Sequence, residues 1–333
     1  MKARRYLLYS ILLIALFGVV ASECGENPQG IYFRINRHGE DYQRYGSLPR
    51  YYDGWLFPSY TLLGVGLFGT ATDLVFVDCT DYSYDGYDVQ LRRINGTVVW
   101  SSGSAEGPHR VSWDGNYIYS GNTRRFLSDF ERKETVLPDS LIENMYLGNI
   151  SDDNRYLCYY NSPSSGDTIN IMLWDDLKKE HHSIQRTYVD RFGGAFYASS
   201  RDRIYYLVDH ELWSLKPDGS QASHVYAFPA SSNPQGCNLL PGEQSFLLWE
   251  SGEICEFNLD QNAITRRVGG FHSYRYAPLS KELYLMADNT VSRYDMETEE
   301  LSVIYRAGKH GQTLGYGFGC SMDGNYIFLG AKE

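Results

Sequence analysis

The chain has 333 residues, 15% aromatic and 21% charged, with 29 tyrosines and a formal net charge of −11. That acidity argues against nucleic acid, whose phosphate backbone an acidic surface repels, and against anionic lipid surfaces. An ordinary apolar share without low-complexity runs excludes a disordered chain, and the abundance of tyrosine favours half-buried pleated sheet.

The first segment reads as an export signal. Lys2, Arg4 and Arg5 make a positive start, Tyr6 to Ala21 is almost wholly apolar, and Val19, Val20 and Ala21 offer a cleavage site before Ser22. The apolar run, about 16 residues, is short for a spanning helix, which needs about 20. Residues 1–21 are therefore read as a cleaved signal peptide, with an uncleaved membrane anchor as the alternative, and residues 22–29 as a spacer. Cys24 adds a lipoprotein reading, because it follows the apolar run and precedes a polar stretch. Glu23 stands against it, since a small residue is expected before a lipid-modified cysteine. Membrane contact is thus expected only through the N-terminal signal or a lipid on Cys24. Each reading places the product outside the cytoplasm, as a periplasmic, cell-surface or extracellular protein.

Residues 30–333 read as one domain built from a repeat. A turn of Ser, Asp or Gly followed by a short, strongly apolar strand recurs along the chain. It reads Ser112-Trp-Asp-Gly-Asn-Tyr-Ile-Tyr, then Ser151-Asp-Asp-Asn-Arg-Tyr-Leu-Cys, Ser200-Arg-Asp-Arg-Ile-Tyr-Tyr-Leu, Pro241-Gly-Glu-Gln-Ser-Phe-Leu-Leu, Leu279-Ser-Lys-Glu-Leu-Tyr-Leu-Met and Ser321-Met-Asp-Gly-Asn-Tyr-Ile-Phe. A looser copy begins at Thr70. The step is about 40 residues, the period of a four-stranded propeller blade. Each apolar strand is followed by a tight turn and a more polar strand such as Glu211-Leu-Trp-Ser-Leu, then by a weaker outer strand such as Ser223-His-Val-Tyr-Ala. Near-continuous apolarity is the mark of a strand buried on both faces. The expected fold is an all-β propeller of about seven four-stranded blades, with six as the alternative.

The ring closure is legible too. The last copy stops at Glu333 after two strands, and Gly30-Ile-Tyr-Phe-Arg-Ile-Asn matches the third-strand pattern of Asp88-Val-Gln-Leu-Arg-Arg-Ile-Asn. The N-terminal strand is expected to complete the last blade, removing two exposed sheet edges.

These blade motifs resemble those of the TolB-like propellers, a bacterial superfamily with Ser-x-Asp-Gly-x-x-Ile/Leu-x-Phe/Tyr repeats, over nearly the whole chain after the signal. The resemblance implies the fold and says little of function, because the same blade serves scaffolds, peptidase gating domains and lyases. The chain departs from the peptidases in lacking a hydrolase domain after the ring.

Ligands of such rings enter at the channel mouth, where loops lead into the innermost strands. His109, His272 and His310 lie on such segments, and neutral imidazoles converging there can hold a metal, as in some pectic-fragment lyases with a similar ring. Their unequal offsets from the following turn favour three separate loop histidines instead, so neither metal nor cofactor is expected. Asp190 and Arg191 also lead into an inner strand, either gripping a polar ligand or forming a local ion pair. His181 and His182 read as solvated. The run Asp81-Tyr-Ser-Tyr-Asp-Gly-Tyr reads as a hairpin loop or a stacking surface. Gly64, Gly66 and Gly69, like Gly315, Gly317 and Gly319, precede no helix and suit strands crowding an axis. Asn95-Gly-Thr and Asn149-Ile-Ser fit glycosylation acceptors in a eukaryotic host. Six cysteines, at 24, 79, 158, 237, 255 and 320, form no Cys-x-x-Cys pair. Cys237 and Cys255, on the first and third strands of one blade, are expected not to pair.

No catalytic constellation stands out. The expected function is a non-catalytic binding or scaffold propeller with a protein or polysaccharide partner outside the cytoplasmic membrane. The alternative is a carbohydrate-active lyase or hydrolase using the channel mouth.

Overall fold

The structure, a computed structural model, describes residues 30–47, 74–83, 86–93, 98–101, 109–142, 145–161, 168–187, 191–308, 313–321 and 323–332. The signal, the spacer and Cys24 lie outside these residues. No helix among the described residues is long and apolar enough to cross a membrane.

The chain forms the expected all-β propeller. Strands β1 (Gly30–Asn36) and β2 (Gln43–Ser47) come first, followed by a sheet of three described strands, β3 (Leu74–Ser83), β4 (Gly86–Arg93) and β5 (Val98–Ser101). Four-stranded antiparallel blades follow. The second blade has β6 (His109–Val111), β7 (Tyr117–Ser120), β8 (Thr123–Phe126) and β9 (Asp129–Thr135). The third has β10 (Met145–Ile150), β11 (Tyr156–Asn161), β12 (Thr168–Asp175) and β13 (Glu180–Thr187). The fourth has β14 (Phe192–Ala198), β15 (Arg203–Val208), β16 (Glu211–Leu215) and β17 (Ser223–Ala227). The fifth has β18 (Gln235–Leu239), β19 (Ser245–Glu250), β20 (Glu253–Asn258) and β21 (Ala263–Gly269). The sixth has β22 (Ser273–Ala277), β23 (Glu282–Ala287), β24 (Thr290–Asp295) and β25 (Leu301–Arg306). The chain ends on β26 (Thr313–Cys320) and β27 (Tyr326–Lys332).

That last blade has the order β26-β27-β1-β2, so the N-terminal strand is its third strand, as its sequence indicates. Phe33 pairs with Leu329 and Ile35 with Ile327, and the side chains of Phe33 and Ile35 are fully buried. Burying each such side chain contributes about 1.5–3 kcal/mol, which is the driving force for closure.

The repeated turn has a physical basis. In the second blade the Ser112 hydroxyl donates to Asp114 Oδ1 and accepts from the Tyr117 backbone N–H, and Ser112 N donates to the Tyr117 carbonyl. Ser151 with Asp153 and Tyr156, and Ser321 with Asp323 and Tyr326, repeat this arrangement. Three residues after the turn's first position the backbone is left-handed in all six four-stranded blades. Gly115, Asn154, Asp202, Glu243, Lys281 and Gly324 have φ between 50° and 72°. Gly, Asn and Asp tolerate this conformation, which explains their recurrence in the motif.

The core lies between blades, because the inner strands of each sheet are apolar on both faces. The second strands are buried along nearly their whole length, as at Ile204–Val208 and Leu283–Met286. Phe196 of β14 packs on Phe246 of β19 with ring centroids 4.9 Å apart, and Tyr156 on Tyr197 at 5.0 Å. The outermost strands β13, β17 and β21 are mostly solvated, and His181 and His182 are exposed on β13. The tyrosine-rich run falls on the β3–β4 hairpin, where Ser83 pairs with Gly86. Cys158, Cys237, Cys255 and Cys320 are buried and free. Cys237 lies on β18 and Cys255 on β20, with β19 between them, so they are too far apart to bridge.

Candidate functional site at the channel mouth

Among the described residues six innermost strands, β6, β10, β14, β18, β22 and β26, line the axis, and four of them are irregular near the end at which they begin. The register shifts at Leu147–Asn149, Phe192–Gly194, Gln235–Asn238 and Leu314–Phe318. Bulges widen one end of a strand and re-aim its side chains. At Gly193 the backbone runs so close to the fifth blade that a Cβ would stand 2.7 Å from the Pro234 carbonyl oxygen. Only glycine fits there.

The widened end holds a cavity of about 340 Å³ lined by Arg110, Tyr146, Leu147, Tyr160, Phe192, Gly193 and Gly194. Tyr160 meets Phe192 edge-on at 5.0 Å, and Tyr146 lies 6.5 Å from Tyr160. Arg110 is exposed to solvent on the cavity wall. Desolvation by neighbouring protein atoms pushes its guanidinium below the ordinary arginine value, while the phenols of Tyr160 and Tyr274 act in the opposite sense. Arg275 lies on β22. Its guanidinium donates from Nη1 to the Tyr274 carbonyl at 2.7 Å and lies over the Phe318 ring at 5.4 Å. Burial depresses it first, and the nearby charge of Arg110 depresses it further. Tyr274 accepts from Asn238 Nδ2 at 2.9 Å and stacks parallel to Trp249. Burial raises the Tyr274 hydroxyl, and Asn238 and the two arginines oppose that rise.

At the opposite end of these strands the turns carry carboxylates. Asp152 Oδ2 accepts from Gly242 N at 2.7 Å, joining the third and fifth blades past the fourth. Glu243 accepts from the Ser199 hydroxyl at 3.0 Å and from Ser200 N at 2.6 Å. Burial raises the Asp152 carboxyl, the Gly242 hydrogen bond lowers it, and Glu243 and Asp153 raise it again.

The residues singled out in the sequence fare unevenly. His109 lies on β6, next to Arg110, and its side chain is outside the described residues; His310 and Asp190 are outside them altogether. His272 is exposed, and its Nε2 accepts from Asp288 N at 3.0 Å. Among the described residues no group of three or more His, Cys, Asp or Glu side chains is placed to hold a metal. Arg191 is exposed one residue before Phe192, and its backbone N–H is held by Asp209 Oδ1 at 3.0 Å. Asn149 is no free glycan acceptor: its amide donates to the Tyr197 carbonyl at 3.1 Å and accepts from Tyr197 N at 3.0 Å.

Arg110, Tyr160, Tyr274 and Arg275 were passed over in the sequence. One signal pointed to Arg110: it stands two residues before the turn, like Asn149 and Asn238, whose side chains reach into the next blade. In the second blade that position carries a cation facing a cavity.

No protein-family profile matches this chain, and no curated protein matches it by sequence. Solved structures do match. One described as "Oligogalacturonate lyase in complex with manganese" is 11% identical, with a TM-score of 0.55, over 83% of this chain and 90% of that one. Another, "Crystal Structure of Mitotic Checkpoint Complex", is 15% identical with a TM-score of 0.50, over 82% of this chain and 86% of that one. The likeness is one of fold alone. The chain is a β-propeller.

Proposed function

We propose that this protein is an exported, non-catalytic propeller of the TolB-like kind that binds its ligand at the channel mouth. The observation that carries the reading is the cavity at Arg110. It is concave and aromatic-walled, the form of a small-ligand site. Among its described lining residues there is no carboxylate or imidazole to serve as general acid or base. The basic, apolar leader supports export.

The lyase described among the structural neighbours supplies the competing reading, a carbohydrate-active enzyme with its site at the same mouth. The two separate on what happens to the ligand. Tyr146 is 47% exposed at the cavity rim. Replacing it by p-benzoylphenylalanine and irradiating intact cells should crosslink the ligand there, and the same probe at His181, on an outer strand, should not. Mass spectrometry of ligand released from the purified protein should find it chemically unchanged. A cleaved or unsaturated product would overturn the non-catalytic reading. Absence of an adduct at position 146 would remove the channel mouth as the binding site. Intact mass of the cell-derived protein tests export: loss of residues 1–21, or a lipid adduct on Cys24, is expected, and a full-length cytoplasmic chain would refute it.

A further inference from the structure

Among the described residues four carboxylates are buried: Asp175, Glu243, Glu250 and Glu282. Three of them hold an arginine, Asp175 with Arg155, Glu250 with Arg267 and Glu282 with Arg37. Such a partner is the normal company of a buried carboxylate, because removing a charge from water is costly. Glu243, 2% exposed, has no cation partner among the described residues. Its oxygens accept from the Ser199 hydroxyl and Ser200 N on the fourth blade. A second carboxylate is fixed beside it. Asp152 Oδ2 accepts from the N–H of Gly242, the residue before Glu243, so one turn of the fifth blade anchors both groups. The other oxygen, Asp152 Oδ1, is buried and has no hydrogen-bond partner among the described residues. None of the described cations nearby bonds either carboxylate. Arg201 spends Nε on the Glu243 backbone carbonyl at 3.2 Å and Nη2 on Asp260 at 2.7 Å. Lys216 stands 3.6 Å from Asp202, and Arg155 is held by Asp175. Asp153 adds a third carboxylate, engaged with the Ser151 hydroxyl and the Arg155 N–H.

We propose that Asp152 is a proton-operated latch: with a proton on Oδ1 the third and fifth blades are drawn together across the fourth, and without it repulsion from Glu243 loosens them. The neutral acid keeps Oδ2 as the acceptor for Gly242 N and turns the stranded oxygen into a donor. It also removes one of two like charges held at a half-buried site, where water and salt screen them less. Burial holds the Asp152 carboxyl above the ordinary aspartate range, the Gly242 bond opposes that, and the charges of Glu243 and Asp153 add to it. A group raised on folding favours the folded state below its unfolded value, and that favour is lost as pH rises through its folded value. The latch is therefore tight in acid and slackens as pH rises.

The test compares the mature protein with Asp152→Asn, which is neutral at every pH and keeps a carbonyl for Gly242 N. At about pH 8 the variant should melt about 1–3 °C above the parent. That advantage should shrink towards zero as pH falls to about 4, where the parent takes up the proton itself. Asp152→Ala, which lacks the acceptor, should melt below Asp152→Asn throughout. Carboxyl 13C NMR reads the proton directly and needs no change at position 152. Asp152 of the parent should titrate above the ordinary aspartate midpoint, and Glu243→Gln should lower that midpoint. A bond that is merely structural would give melting differences that do not vary with pH. A parent that melts at or above Asp152→Asn at about pH 8, an advantage that is constant with pH, or an Asp152 midpoint unmoved by Glu243→Gln would each overturn the latch.

Discussion

Arg37, in the turn after β1, donates from Nη2 to Oε1 of Glu282, the first residue of β23, and so ties the N-terminal strand pair to the sixth blade. Glu282 is 1% exposed. Arg293 stands 3.7 Å from the same oxygen. The Tyr284 hydroxyl shares its proton between Glu282 Oε2 at 2.8 Å and the Gly324 carbonyl at 2.7 Å. One buried carboxylate thus gathers groups from both sides of the seam where the ring closes.

Removing one partner of a buried charge leaves the other stranded. Arg37→Ala should cost about 2 kcal/mol in urea unfolding, the remaining cation at Arg293 and the partial exposure of Arg37 holding the loss below the full range for buried pairs. Combining it with Glu282→Gln should return part of that loss. Deleting residues 25–40 removes β1 along with Arg37 and should cost several kcal/mol of a total near 5–15. A truncated form that melts within a degree or two of the parent would show that closure does not rest on β1.

Gly39→Ala tests the same seam from its backbone. Gly39 has φ +76°, and a Cβ there would stand 1.7 Å from the carbonyl oxygen of Ile304 on β25. Gly242 has a similar φ of +80°, with nothing within 4 Å of its would-be Cβ. Gly242→Ala should therefore cost about 1 kcal/mol, the strain alone, and Gly39→Ala at least about 2 kcal/mol more, because β2 must move off β25. Equal losses in thermal melting would mean that the turn does not pack on Ile304.

Lys281 occupies the left-handed position of the sixth turn with φ 54°. Its ammonium pairs with Glu297 at 2.5 Å, but both side chains are largely exposed, so the pair contributes little. Lys281→Asn should stabilise the protein by about 0.5–1 kcal/mol, since Asn already fills this position at Asn154. The equivalent change at Glu243 should destabilise, because Glu243 binds Ser199 and Ser200. A loss of stability in Lys281→Asn would refute the equivalence of the six turns.

Burial pushes the thiols of Cys158, Cys237, Cys255 and Cys320 up to about 12, and the Tyr276 and Tyr305 hydroxyls to about the same value. These groups stay protonated in the native state at pH values where the unfolded chain has released its protons. Stability is therefore fully present below about pH 9 and falls as pH rises from there towards 12. Iodoacetamide at pH 8 should leave these four cysteines unmodified in the native protein and alkylate all of them after denaturation. Rapid native labelling of any one would contradict its burial.

The sequence of this protein determined its repeat, its closure and its turns, because these are local. A left-handed turn position selects Gly, Asn or Asp, a strand buried on both faces is apolar throughout, and Ile31-Tyr-Phe-Arg-Ile carries the third-strand pattern wherever it stands in the chain. The site was different. Histidines drew attention at the channel mouth because imidazole chemistry is recognisable in isolation. His272, though, spends Nε2 on a backbone N–H. Arg110 and Arg275 are two of many arginines, and nothing within a few residues of either distinguishes it from Arg124 or Arg267. What sets Arg110 apart is its place in the cavity wall with Tyr160 and Phe192, and that depends on which blades meet at the axis. The lining of a channel is drawn from strands distant in sequence, so only the closed ring decided which side chains meet in the cavity.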